Sequence, residues 1–372
     1  MIRPFAITVF ALLFMYLPLS LAADKKVVVF DFTPQREHDN EWIGAALAEY
    51  VSVLFEIAQG YTATERNVVN RMLMRYGYSP STPSSFEVKD RIREALGGNI
   101  VIEGSYTLES NTLRFRGSIV DMVSGELARD LVLQISPFDI FTTQTEIKAQ
   151  IERAIGAKLR NDRQLFLGTR SESAYISFQK GRIQYEGGKA DNALPLLNKS
   201  VSSDAKYVAP LLLLGRIYLE KAHYQDATKY LKKATNLAPN NAEAHFLLGM
   251  AAFLQRDRRT AETHLKKATK LKSGEPDYHY QLGVFYSENR IFDEAEKELR
   301  RAVEADPGMA GAWYKLAALY SMQRKKDETY SALEKSISAG NKEIIGRLKN
   351  DADFQWLWND TRFKQLLQRN SH

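Results

Sequence analysis

The sequence predicts two architectures in one chain, an α+β domain over residues 24–160 followed by an all-α solenoid of paired helices over 174–343. Three observations predict it. Apolar residues between positions 100 and 135 alternate with a period of two, whereas after position 174 they recur at helical spacing. Small residues in that second part return at a fixed interval: Gly181, Gly215, Gly249, Gly283 and Ala317 each stand 34 positions after the last. The 22 residues at the start differ in composition from everything that follows.

That opening stretch has Arg3 as a positive flank, an apolar core from Ile7 to Leu19 broken by Thr8 and Pro18, and small residues Ser20 and Ala22 three and one positions before a cleavage point. It is expected to be a signal peptide over residues 1–22. The alternative, an uncleaved membrane anchor, wants a longer apolar run. The chain of 372 residues has no cysteine, which removes disulfides, thiolate metal sites and thiol chemistry. A composition 44% apolar and 26% charged suits a folded, soluble protein. The net charge of +6 comes largely from the repeats, through Lys229, Lys232, Lys233, Lys266, Lys267 and Lys270. A solvated outer face accounts for it; an anionic partner such as a membrane surface, giving peripheral association, is the alternative. Nucleic acid is not expected as a partner, since no nucleic-acid-binding pattern accompanies the charge.

After the leader, Val27 to Phe32 is a nearly continuous apolar run ended by Thr33-Pro34, as in a buried strand. Residues 42–58 carry Ile43, Leu47, Val51, Leu54 and Phe55 at helical spacing, with Asp39 or Asn40 as cap and Gln59-Gly60 as stop. A short strand over 61–65, a helix over 68–76, a loop around Pro80 and Pro83, and a helix over 86–96 ended by Gly97-Gly98 follow. Runs at 100–108, 113–123 and 127–135 are three strands joined at Glu109-Ser110-Asn111 and Ser124-Gly125, hence an antiparallel meander. Leu113, Phe115, Gly117 and Ile119 alternate, so one face is covered. A long helix over 138–159, through Phe141, Ile147, Ile151 and Ile155, closes the order βαβααβββα.

The strings VVVFDFTPQ at the opening strand, Asn99 to Ser105, and Val120-Asp121-Met122-Val123-Ser124-Gly125 make residues 25–160 resemble the N-terminal domain of TolB and related bacterial envelope proteins. The resemblance implies a noncatalytic assembly or binding domain, often placed before a repeat array. The propeller that follows in TolB itself is not matched, so the role of TolB is not carried over.

Residues 161–173 are a polar linker. Beyond it, Ala193, Ala227, Ala261, Ala295 and Thr329 stand twelve residues after each small residue, and Ser200, Ala234, Ala268, Ala302 and Ser336 seven further on. Pro239 and Pro307 end the second and fourth units. Small residues let two antiparallel helices approach while Leu, Tyr and Phe fill the space beside them. The fifth unit, with Trp313, Leu316, Ala317 and Tyr320, is close to the pattern W-x2-L-G-x2-Y, and the whole array resembles a tetratricopeptide protein. Five units are placed at 174–207, 208–241, 242–275, 276–309 and 310–343. Residues 344–372 are expected to be capping helices, with Phe354, Leu357, Phe363 and Leu366 over the last repeat.

The sequence holds no H-E-x-x-H, P-loop, G-x-S-x-G or strand-linked G-x-G-x-x-G, so it is not read as an enzyme, and no cofactor is expected. His245 and His279 are 34 apart, in the slot that Trp313 fills one repeat later; a packing role is expected rather than a metal pair. The candidate site is a groove. Tetratricopeptide proteins commonly bind extended or helical peptides on the concave side, at the second, fifth, ninth and twelfth positions of each first helix. Those positions hold Tyr175, Phe178, Arg182 and Tyr185, then Leu212, Arg216 and Leu219, then Phe246, Met250 and Phe253, then Tyr280 and Val284, then Tyr314 and Ala318. They do not match the family's carboxylate clamp, although Arg182 and Arg216 could fork to one acidic group. The expectation is an exported scaffold, periplasmic or outer-membrane-associated, that binds an apolar segment of another envelope protein. The alternative is a ligand- or polysaccharide-binding protein using Tyr and Trp as stacking platforms.

Overall fold

The computed structural model describes residues 25–35, 41–56, 60–78, 85–109, 112–121, 126–135, 147–153, 168–340 and 343–369. The expected leader, the Pro80 loop, Phe138, Phe141 and Ile155 of the expected long helix, and most of the linker lie outside these residues. The chain divides into two units, residues 1–189 and 190–372. Among the described residues no helix is long and apolar enough to cross a membrane.

The first unit is built on a mixed sheet in the order β3-β1-β4-β5-β6. Strands β1 (Lys25–Val29), β3 (Tyr61–Ala63) and β4 (Ile100–Glu109) run parallel, while β5 (Thr112–Asp121) and β6 (Glu126–Ile135) continue from β4 as an antiparallel meander. Glu109 pairs directly with Thr112, so the first hairpin closes over two residues. A bulge between Ile119 and Val120 leaves Ala128 of β6 without an opposite residue. Thr33-Pro34, expected only to end the first run, is instead a second short strand, β2, paired in parallel with Ser105 and Tyr106. Helices α2 (Arg66–Arg75) and α3 (Phe86–Ala95) cluster with Val28, Phe30 and Val101. Helix α1 (Glu41–Glu56) packs closely enough that a Cβ on Gly44 would fall 1.8 Å from the Phe32 carbonyl oxygen. The run Val27 to Phe30 is therefore buried without alternation, because both of its faces are covered. Gly104 and Gly117 lie opposite each other on β4 and β5 and leave room for the Phe32 and Phe115 rings, which meet edge to face at 4.6 Å. A short helical stretch, α4, covers 147–153, with Ile147 and Ile151 buried. Helix α5 (Glu172–Glu186), the first helix of the first expected repeat, belongs to this unit.

The second unit is α-helical. It comprises α6 (Ala190–Ser203), α7 (Val208–Glu220), α8 (Tyr224–Leu237), α9 (Ala242–Leu254), α10 (Arg258–Leu271), α11 (Pro276–Glu288), α12 (Phe292–Ala305), α13 (Ala310–Met322) and α14 (Lys326–Ser338). The 34-residue period has a simple steric basis. A Cβ on Gly215, Gly249 or Gly283 would come within 2.4–2.8 Å of Leu231, Leu265 or Leu299, the residue sixteen positions later on the second helix. Each hairpin is thus a notch in one helix filled by a leucine of the next, and these leucines are fully buried. The turns between paired helices place Ala222, Arg256, Arg290 and Arg324 at φ of 58–61°, the left-handed region that glycine usually fills. After α14, α15 (Glu343–Leu348), a 3-10 helix (Ala352–Leu357) and α16 (Thr361–Arg369) bury Phe354, Leu357, Phe363 and Leu366 in the core of the last repeats.

Candidate functional site

The groove positions expected from the period meet three different fates. On α5 they are closed within the first unit. Tyr175 is fully buried and Phe178 nearly so, and the Tyr175 hydroxyl donates to the Ala46 carbonyl of α1 at 3.4 Å. Gln179 Nε2 and Arg182 Nη1 both donate to Glu49 Oε2, at 2.7 and 2.9 Å. Arg182 also lies 3.8 Å from Glu186, which in turn is 3.5 Å from Arg66. Arg66 clasps the buried Asp31 carboxylate through Nε and Nη2. Burial, reinforced by the charge of Glu49, pushes the Tyr175 phenol well up. Tyr175 and Phe178 are therefore buried rather than open groove, and Arg182 is half-buried with Glu49 of α1 as its partner; Tyr185 is half-buried.

On α13 the same positions are closed by the chain's C-terminal part. Tyr314 is buried, hydrogen-bonded through its hydroxyl to Asp351, and covered by Arg347 at 5.0 Å from its ring centre. Ser321 donates to the Asp353 carbonyl at 2.6 Å and accepts from Trp356 Nε1 at 2.7 Å. Burial, together with the hydrogen bond to Asp351, raises the Tyr314 phenol. Tyr314 thus leaves the expected binding row as well.

On α7, α9 and α11 the row is only partly covered. Leu212 and Val284 are buried among their neighbours, whereas Phe246, Met250, Phe253 and Tyr280 are half-buried and keep an open flank. Phe246 stacks on Tyr278 with ring centres 4.6 Å apart, and Phe253 meets Phe285 edge to face at 5.8 Å. These contacts fix the rings before any partner arrives. Arg216 Nη2 donates to Glu243 Oε1 at 2.6 Å, and both side chains are more than a third exposed. Arg182 and Arg216 thus have separate carboxylates and do not fork to a shared one. At the end of α9, Phe253, the exposed Leu254, Arg256, Arg258, Glu288 and Asn289 line an open pocket of about 410 Å³. The groove pattern does not include Leu254 or the two arginines, because its positions stop one residue earlier.

The histidines have structural partners. Nε2 of His245 and of His279 donate to the carbonyls of Pro239 and Ser273, six residues back, at 3.0 and 2.9 Å. Trp313 Nε1 donates in the same way to Pro307 at 3.0 Å. A carbonyl can only accept, so the shared requirement of this slot is a ring N–H. The other ring nitrogen faces the helix partner nineteen residues on, which is His264 at 2.8 Å for His245 and Glu298 at 2.6 Å for His279. The hydrogen bond to Glu298 raises the His279 imidazole, whereas burial and the neighbouring His245 lower that of His264.

Family models described as tetratricopeptide repeats match residues 184–251 and, in two overlapping placements, 255–310 and 280–329. No curated protein matches the chain. Among solved structures, a crystal structure of MamA is 27% identical over 44% of this chain and 96% of its own, with a TM-score of 0.41. A fragment of MamA from Desulfovibrio magneticus RS-1 is 18% identical over 49% and 99%, with a TM-score of 0.41. YrrB, described as having an unusual peptide-binding site, is 21% identical over 46% and 88%, with a TM-score of 0.40.

Proposed function

We propose that this chain, whose residues 184–251 and 255–329 are tetratricopeptide repeats, is a non-enzymatic scaffold that holds a segment of another protein against α7, α9 and α11. One observation carries the reading. Phe246, Met250, Phe253 and Tyr280 keep apolar surface open at positions that α1 and the C-terminal helices close elsewhere in the same chain. Aromatic side chains already held by ring contacts and with an open flank suit partner binding, since their burial releases water and costs little rotamer freedom. Around Arg216, which pairs with Glu243, the row presents Leu212, Phe246, Met250, Phe253 and Tyr280, which favours holding a partner over transforming a substrate.

We place the scaffold in the bacterial cell envelope, exported through residues 1–22 and carrying a TolB-like domain ahead of the repeats. That the opening strand, residues 100–105 and the hairpin reaching Asp121 share one sheet supports this domain reading. The groove is tested by crosslinking in the native cell and co-purification with the full chain. Phe246→Glu combined with Tyr280→Glu is expected to lose partners that the wild type retains, and retention of all of them removes the groove reading. Export is tested by N-terminal sequencing of the protein from a periplasmic extract, with Ala23 expected first.

A further inference from the structure

The positive charge of the chain is concentrated on two adjacent helices. Helices α8 and α10 together carry eight cationic side chains against two acidic ones, Asp226 and Glu262, an excess equal to the +6 of the whole chain. Both pack on α9, and burial, His245 and then Lys232 of α8 lower the His264 imidazole of α10, so the two helices lie side by side. Each buries one stripe, Ala227, Leu231 and Ala234 on α8 and Ala261, Leu265 and Ala268 on α10. With about 3.6 residues per turn, Lys229, Lys232 and Lys233 fall on the opposite side of α8, and Lys266, Lys267 and Lys270 on the opposite side of α10, with Arg259 beside them.

A solvated helix face does not require this imbalance, as the next second helix shows. On α12, the cations two repeats on from Lys229, Lys232 and Lys233 each have a carboxylate within the same helix. Lys297 meets Glu294 at 3.7 Å, Arg300 meets Glu296 at 2.9 Å and Arg301 meets Glu298 at 2.9 Å. One repeat earlier those three glutamate positions hold Thr260, Glu262 and His264, and in the repeat before that Asp226, Thr228 and Tyr230. Among the described residues only Lys266 of the seven cations on this face has an ion-pair partner, Glu262 at 3.6 Å. Lys229 and Lys233, like Lys266 and Lys270, are equal charges four positions apart, a spacing that weakens a helix. The chain thus leaves a repulsion uncancelled that an anionic partner would relieve.

The kind of anion follows from the side chains. All but Arg259 are lysines, point charges on flexible stems without the fixed fork that arginine offers to one carboxylate or phosphate. Charges of that kind suit many headgroups spread over a fluid surface. Leu237, one turn beyond Lys233, is 39% exposed and adds an apolar side chain at the rim. We infer that this face of α8 and α10 docks the chain peripherally on a membrane surface rich in anionic phospholipid. The lysines lie on the side away from the first helices that bear the groove row, and none belongs to that row, so the inference stands apart from the groove reading.

The test is sedimentation of the full chain with vesicles of phosphatidylcholine alone, or of phosphatidylcholine mixed equally with phosphatidylglycerol. The readout is the ratio of the two affinities, in which uptake of the apolar residues 7–19 cancels. Preference for the anionic vesicles is expected, falling as salt rises. Lys229→Gln, Lys232→Gln, Lys233→Gln and Lys270→Gln combined should lower that preference about tenfold or more, since each lysine near an anionic surface contributes roughly fivefold. A control with the same change in charge, Lys189→Gln, Lys206→Gln, Lys349→Gln and Lys364→Gln, should keep it. All eight side chains are exposed, so both variants should fold, and the first should melt no lower than the parent because it removes like-charge pairs. Equal loss in both variants makes net charge the cause and overturns the inference. So does equal affinity for the two kinds of vesicle, or a preference that the first variant keeps. Binding of soluble polyglutamate that depends on the four lysines, with no preference between vesicles, would assign the face to an acidic protein and overturn the membrane.

Discussion

Helices α5 and α9 carry the same kind of residue at the same groove positions, yet one face is interior and the other is open. Tyr175 and Phe178 are as aromatic as Phe246 and Phe253; what differs is that the first pair is buried, with α1 bonded to Tyr175. A binding face in a repeat array is thus decided by what else the chain lays over it, while the repeat pattern decides only which residues point that way.

The largest expected effects lie on the closed side of this comparison. Arg66→Ala leaves the buried Asp31 carboxylate without its partner and should cost about 3–5 kcal/mol. Tyr175→Ala empties a fully buried aromatic site and should cost about the same. On the open side, Phe246→Ala should cost only about 1 kcal/mol in stability, because its outer flank already meets water. Hydrogen exchange resolved to α5 and α9 reads each unit separately, and equal losses in all three variants would break the comparison.

An intermediate effect separates two repeats that share a histidine slot. His279 is raised by its hydrogen bond to Glu298, also against the opposing charge of Arg301, so its folded pKa lies above the unfolded value near 6.5. Its contribution is complete below that value and is lost as pH rises through the folded pKa. Glu298 is held below the usual carboxylate range: burial opposes ionisation, but His279 and Arg301 outweigh it, so its share is lost as pH falls through its folded pKa. His264, lowered by burial and by His245 and Lys232, resists protonation, so the fold loses stability as pH falls through about 6.5. Melting temperature against pH should therefore lose its slope on the alkaline side of 6.5 in His279→Asn and on the acid side in His264→Gln. If each variant keeps the parent slope, the assignment of ring roles in the two slots is wrong.

The smallest effect concerns the turns. Arg290 adopts φ of 60°, where a β-carbon is strained, so Arg290→Gly should raise stability by roughly 0.5–1 kcal/mol. Denaturant titration is the measurement, and a loss would show that the arginine side chain holds the turn.

Much of the fold was legible because it is written in local spacing. The βαβααβββ order and the hairpin pairs follow from period and turn residues, and the repeats follow from Gly215, Gly249 and Gly283. Other features depend on contacts between distant residues. Nothing near Tyr175 in sequence announces Ala46 and Glu49, and nothing near Tyr314 announces Asp351. Pro34 reads as a stop because it cannot donate; the structure accepts it in a strand of two residues whose following amide, Gln35 N–H, donates to the Tyr106 carbonyl. The His245 slot reads as packing, but its donor role emerges only once the Pro239 carbonyl is seen to need a partner.

The notch between each glycine and the leucine sixteen residues on belongs wholly to one hairpin. A cassette of 34 residues added or excised at a unit boundary therefore leaves every remaining notch intact, whereas an insertion of one residue inside a hairpin spoils the notch it interrupts. Array length can then vary across a lineage without retuning the interior, and the reach of the molecule can change while its joints stay the same.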